Sequence, residues 1–153
     1  QLAIETFDGV PHRLELVREL NGVRWYNDSI ATAPERTVAA INSFEEPIVL
    51  LLGGRDKKLP WDHLAQLIRK RVSRVVIFGE AGDLIADAIG PKKPGQAMRS
   101  VVRCATLHEA IKTAYKQAEK GDVVLLSPGC TSYDAFKDFE ERGQAFRKWV
   151  NEL

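Results

Sequence analysis

The sequence has almost no net charge, few cysteines and no long apolar run, and each shortage removes a class of protein. Lys and Arg number 22 against 21 Asp and Glu, leaving +1. No global field exists to hold a polyanion, so nucleic acid is not expected as a partner. The two cysteines, Cys104 and Cys130, stand apart in apolar contexts, with no C-x-x-C and no Cys/His cluster. That pattern fits a reduced, cytoplasmic compartment better than a disulfide framework. No apolar run approaches the ~18 residues of a membrane span, and the opening QLAIETFDGV lacks a basic and apolar leader, so no membrane partner is expected. The chain opens on Gln1 rather than Met, which is read as a piece of something longer. What remains is 153 residues, 44% hydrophobic and 28% charged, the composition of one globular domain able to bury roughly 70% of the surface its unfolded chain exposes.

The hydrophobic pattern changes along the chain. Residues 13–20 (RLELVREL) and 23–27 (VRWYN) are extended runs separated by Asn21-Gly22, the pair that supplies positive φ at both centres of a type I′ turn. An antiparallel hairpin is expected there. Residues 48–52 (IVLLL), 74–78 (RVVIF) and 123–127 (VVLLS) are nearly continuous apolar runs, as in parallel strands covered on both faces, and 101–104 is a weaker candidate. Thr106-x-x-Glu109 is a capping box, and Leu107, Ala110, Ile111, Ala114, Tyr115 and Ala118 follow at helical spacing, with Gly121 read as the stop. Further helices are expected over 34–44, 60–72, 80–89 and 133–150. Alternating helices and strands after a hairpin imply an α/β, Rossmann-like three-layer sandwich, its sheet mostly parallel with right-handed crossovers.

In such a sheet ligands bind beyond the carboxyl ends of the strands. Four segments fall there: NDSIATAPE, LLGGRDKK, FGEAGD and LSPGCTSYDAF. Gly53-Gly54-Arg55-Asp56-Lys57-Lys58 permits close backbone approach beside a cation, but lacks P-loop spacing, and a glycine turn with solvated charges explains it equally well. FGEAGD reads as a simple helix start rather than a dinucleotide site. Asn27 to Thr32 offers a carboxylate and hydroxyls before a Pro-initiated helix, a pattern that an Asx turn and a cap also satisfy. Cys130 sits among hydroxyls at a strand-to-helix turn, where a helix dipole favours an anion. Position 136 is Phe where a C-x5-R phosphatase loop needs Arg, and no His pairs evidently with the thiol, so a buried structural cysteine is expected. His12, His63 and His108 show no metal spacing and read as surface or helix-start residues; no metal ligands are assigned. Phe136, Phe139, Phe146 and Val150 form one apolar stripe of the last helix.

Taken in order, HRLELV, GVRWYNDSIATAPE, LLGGRDK, VRCATLHEA and GDVVLLSPGCTSYDAFKDFEERG closely resemble the C-terminal domain of the Mur ligase family, from about Pro11 to Val150. The resemblance implies an enzyme of three domains: one for the UDP-sugar, a central ATPase, and a Rossmann-like C-terminal domain that holds the incoming amino acid. Residues 1–10 would then be a linker from the central domain and 11–153 the amino-acid-binding domain, inactive in isolation. Absence of the D-N-P-R pattern of the diaminopimelate-adding members, and of the acidic-Tyr-His pattern of the alanine-adding ones, favours D-glutamate as the amino acid and UDP-N-acetylmuramoyl-L-alanine as the acceptor. Residue by residue, the resemblance assigns Thr32, Lys57, Ser132, Tyr133 through its backbone, and Phe139 to the D-glutamate pocket. Arg13 and Asp28 match positions that meet the nucleotide when the domains close. ATP and Mg²⁺ would be held mainly by the central domain, and a monomer is expected. The family's D-S-K-A-T-N motif appears with Ile30 and Ala33 at its Lys and Asn positions.

The chemistry of the assigned set is coherent. D-glutamate brings two carboxylates and an attacking amine, so its pocket needs a cation and neutral donors, here Lys57, Thr32, Ser132 and the N-terminus of the last helix. Three other readings stay open on the residues alone: a stand-alone anion- or nucleotide-binding module, a Cys130 hydrolase, and a related ligase such as one making polyglutamyl folate.

Overall fold

Three apolar runs form the centre of the computed structural model, which describes residues 10–153. They are β3 (Ile48–Gly53), β4 (Arg74–Phe78) and β6 (Val123–Leu126). With β1 (Glu15–Leu20), β2 (Val23–Asn27) and β5 (Ser100–Arg103) they make one six-stranded sheet in the order β1-β2-β6-β3-β4-β5. All neighbours are parallel except the β1–β2 hairpin. Its turn has the expected positive φ at Asn21 and Gly22. The proposed linker, residues 1–10, lies outside the described residues except for Val10.

Every residue of β3 and β6 is buried because helices cover both faces. Helices α1 (Pro34–Ile41), α2 (Asp62–Arg71) and α3 (Gly82–Ile89) pack Val38, Ile41, Leu64, Ile68, Ile85 and Ile89 against Leu50, Leu52, Val75 and Ile77. On the opposite face α4 (Leu107–Gln117) and α5 (Phe139–Asn151) bring Leu107, Ile111, Ala114, Phe146 and Val150 onto Val49, Leu51, Val76 and Val124. Period-2 alternation along the strands thus feeds two cores, and the three-layer α/β sandwich stands as expected.

Several ends differ from expectation. Helix α4 closes at Gln117, and Ala118 turns extended; Gly121 sits three residues later in a separate turn, where its N–H bonds Gly22 carbonyl at 2.9 Å. Helices α2 and α3 start two residues later than their Pro60 and Glu80 signals. The largest shift is in α5, which begins at Phe139 rather than Tyr133. Asp138 is its cap: Oδ1 accepts from Glu141 N at 2.9 Å, while Glu141 Oε1 accepts from Lys137 N at 2.7 Å. The Asp138-x-x-Glu141 box overrides the earlier start. Phe136 therefore lies before the helix, while Phe146 and Val150 fill the core as the stripe implies.

At the head of α4 the capping box forms, with Thr106 Oγ1 accepting from Glu109 N at 3.2 Å and the Glu109 carboxylate reaching Ala105 N at 2.9 Å. Thr106→Ala should lower stability by about 1 kcal/mol in urea unfolding, and an unchanged midpoint would contradict the capping role.

Candidate functional site

Four loops meet at the carboxyl edge of the sheet, and backbone hydrogen bonds bind them into one surface. After β3, Gly53 N donates to Pro128 carbonyl at 3.1 Å, and Arg55 and Thr131 exchange two backbone bonds of 2.9 and 3.0 Å. This approach requires glycine. A Cβ on Gly53 would lie 1.8 Å from Phe78 carbonyl oxygen, and one on Gly54 would lie 2.2 Å from Thr131 carbonyl oxygen. After β2, Ala31 carbonyl accepts from Gly129 N at 2.9 Å, so that loop also leans on the one following β6. After β4, Glu80 N donates to Asp134 Oδ2 at 3.0 Å, and Glu80 receives Arg55 at 3.2 Å.

On this crest Lys57 Nζ donates to Thr32 Oγ1 at 3.2 Å, joining two residues 25 apart in sequence. Lys57 is exposed and Thr32 half-buried, so the cation faces solvent beside a hydroxyl. The Lys57 loop is folded back on itself: Asp56 accepts from Lys58 N and from Trp61 Nε1, both at 2.9 Å. The expected solvated loop is thus knotted to a buried indole. Ser132 is buried at the start of a turn, its carbonyl accepting from Ala135 N and Phe136 N at 3.1 and 2.7 Å. Tyr133 follows, 62% exposed. Phe139 is farther along the chain, its ring edge-on to His12 and its carbonyl accepting from Ser29 Oγ at 2.7 Å. Since α5 starts at Phe139, its N-terminal amides are not at the Ser132 turn, which corrects the expectation that they act there as donors.

Arg13 and Asp28 share a separate cleft of about 180 Å³ with Ile30 and Arg36, the last of which the sequence did not single out. Asp28 is buried, with Oδ1 accepting from Leu14 N at 3.1 Å and Oδ2 from Ser127 Oγ at 2.9 Å. Burial pushes its carboxyl up to about 6, against the pull of those hydrogen bonds and of Arg13 and Arg36. Behind the cleft His12 is buried rather than on the surface, and its Nδ1 accepts from Asn27 Nδ2 at 2.9 Å. Burial, then Arg147, lowers its pKa, which keeps the ring neutral for that bond. His63 pairs with Glu35 at the surface and His108 stacks on Trp149 at the head of α4, as their positions imply.

Cys130 is fully buried, and desolvation raises its thiol to about 12. A thiol so far above neutral pH is not a nucleophile, and the hydrolase reading falls with it. Both cysteines are free. Among the described residues no cluster of His, Cys, Asp and Glu could hold a metal ion, and no helix is long and apolar enough to cross a membrane. Besides Arg36, sequence reasoning missed Arg142, which is fully buried beneath the loops. Its signal was a charge set between Phe139 and Phe146 on the apolar stripe.

A mostly parallel sheet flanked by helices, with cations, hydroxyls and a buried carboxylate gathered at its carboxyl edge, defines an α/β domain whose crest is the place where such folds take ligands. The family described as "Mur ligase, glutamate ligase domain" matches residues 12–130, and this chain belongs to it. A UDP-N-acetylmuramoylalanine--D-glutamate ligase of Acetivibrio thermocellus is 46% identical over 151 residues, 97% of this chain and 32% of that protein. The chain therefore spans about a third of the length of such relatives. Among solved structures, a bifunctional folylpolyglutamate synthase/dihydrofolate synthase from Yersinia pestis superposes with TM-score 0.66 at 15% identity, over 97% of this chain and 32% of that one. The MurF ligase of Thermotoga maritima, in complex with ADP, gives 0.63 at 20%, over 96% and 33%. These two share the fold.

Asp28 makes stability depend on pH. Its folded pKa lies above the ordinary 3.8, so its contribution is fully present below 3.8 and is lost as pH rises through about 6. Asn would keep the bond from Leu14 N through its oxygen and, with Ser127 Oγ turned to accept from Nδ2, would carry no buried charge. Asp28→Asn should gain stability over the parent between pH 4 and 7, reaching about 3 kcal/mol at pH 7.5 in urea unfolding. A difference that stays flat across that range would contradict the buried-carboxylate account.

Proposed function

We propose that this chain is the amino-acid-binding domain of an ATP-dependent ligase that joins D-glutamate to UDP-N-acetylmuramoyl-L-alanine in the cytoplasm, and that it acts as part of a longer polypeptide. The observation that carries the reading is the Lys57–Thr32 pair, an exposed cation and hydroxyl held together at the sheet's carboxyl edge. Family membership and 46% identity to a ligase named for D-glutamate supply the substrate. In this reading Lys57 meets one carboxylate of D-glutamate as a point charge, while Thr32 and Ser132 donate neutral hydrogen bonds. Tyr133 lines the pocket through its backbone and Phe139 closes its apolar side.

The α-amine must arrive unprotonated. Among the residues assigned to this pocket no carboxylate competes for it, because Asp56 is occupied by Lys58 N and Trp61, and Glu80 by Arg55. A preceding central domain would hold ATP and Mg²⁺, which would supply activation of the acceptor carboxylate as an acyl phosphate by transfer of the terminal phosphoryl group, with ADP released. Amine attack on that carbonyl forms the amide bond, and phosphate leaves as the nitrogen gives up a proton. What this chain contributes is placement: it holds the nucleophile and, on closing, excludes water so that aminolysis outruns hydrolysis. Arg13 and Asp28, in their shared cleft, are the residues that would meet the nucleotide on closure. Ile30, lining the same cleft, supplies an apolar wall where the family motif has Lys.

Lys57→Ala in the full-length ligase should raise KM for D-glutamate by about 10- to 100-fold, the range of a charge-assisted hydrogen bond, and leave KM for ATP within about twofold. Steady-state kinetics showing the larger change in KM for ATP would contradict the assignment.

A further inference from the structure

Arg142 on α5 has no exposed surface, yet the partners of its guanidinium are neutral oxygens. Nε donates to Ser29 Oγ at 2.9 Å, Nη2 to Ser29 carbonyl at 2.8 Å and Nη1 to Cys130 carbonyl at 3.0 Å. No ion pair to a carboxylate accompanies it among the described residues. Burial without a paired carboxylate is costly for a charge, and it draws the guanidinium pKa down to about 10 against the pull of the Asp134 charge, which still leaves it protonated at neutral pH. An apolar side chain on the same stripe would avoid that cost, so the position calls for another reason to be Arg.

The acceptors supply one. Ser29 lies three residues before Thr32 and Cys130 two before Ser132, so one planar fork ties together the loops that carry both hydroxyls. Ser29 Oγ also donates to the carbonyl of Phe139 at 2.7 Å, which links the fork to the first residue of α5. Through these bonds a single side chain fixes three segments bearing Thr32, Ser132 and Phe139. We propose that Arg142 is a positioning residue of the amino-acid site, setting the distance between the Thr32–Lys57 pair and Ser132 without touching the substrate. This rests on the D-glutamate reading of those residues.

The test is steady-state kinetics of the full-length ligase bearing Arg142→Lys, Ser29→Ala or Lys57→Ala, each with a thermal unfolding curve. Arg142→Lys keeps the charge and loses the fork. It is expected to raise KM for D-glutamate about tenfold or more, with KM for ATP and for the UDP-linked substrate within about twofold and kcat changed less than KM. Ser29→Ala keeps the guanidinium and removes one acceptor, and should move KM for D-glutamate the same way by about threefold. Folded variants with KM for D-glutamate within about twofold of the parent, or with all three KM values raised alike, overturn the proposal. Should Arg142→Lys fail to fold, Ser29→Ala decides alone on the same criteria. Lys57→Ala separates the two readings. An unchanged KM there removes the D-glutamate site itself, whereas a raised KM beside an unchanged Arg142→Lys removes only the positioning role.

Discussion

The crest of this domain depends on one close approach, the backbone leaving β3 pressed against β4 and against the loop after β6. Gly53 and Gly54 make it possible, since a side chain at either would collide with the carbonyl oxygen of Phe78 or of Thr131. Without that approach Arg55 and Thr131 could not exchange their backbone bonds, and Lys57 would not reach across to Thr32. The site is therefore a product of backbone geometry before it is a product of side-chain chemistry. The apolar sheet beneath supplies the rigidity, with every residue of β3 and β6 buried between two layers of helix.

Electrostatics divides the crest in two. Around Lys57 and Thr32 the charge is exposed and available to a ligand, and the nearby carboxylates are already bound to internal donors. Around Arg13 and Asp28 a carboxylate is kept dry against its own preference, so stability is given up at neutral pH for a buried charge beside two guanidiniums. The rest of the domain is consistently packed, so this cleft stands out as the place where a buried carboxylate runs against folding. His12 adds to it. Its backbone has φ +67, and its ring occupies the space that a Cβ on Gly143 would fill.

The architecture was legible because its signals were local and redundant. Continuous apolar runs separated from capped amphipathic stretches identify covered parallel strands, and Asn21-Gly22 specifies the hairpin. Thr32 and Lys57 were legible as donors in edge loops, though only the fold brings them to 3.2 Å. The start of α5 was misread because an apolar stripe extends through Phe136, while the Asp138–Glu141 cap that governs it is a short polar signal inside that stripe. Asp56 and Trp61 were missed as a pair, since their bond depends on how a five-residue loop curls. The burial of His12 depends on an absent side chain at position 143, which no local pattern around His12 reveals.

In the proposed reading this edge cradles a small amino acid with two carboxylates. That reading is tested most directly by a crystal structure of the full-length ligase with D-glutamate and a non-hydrolysable ATP analogue. One carboxylate is expected within hydrogen-bond distance of Lys57 Nζ and Thr32 Oγ1, the other against Ser132, and the amine turned toward the nucleotide. D-glutamate bound elsewhere, with Thr32, Lys57 and Ser132 making no contact to it, would contradict the account.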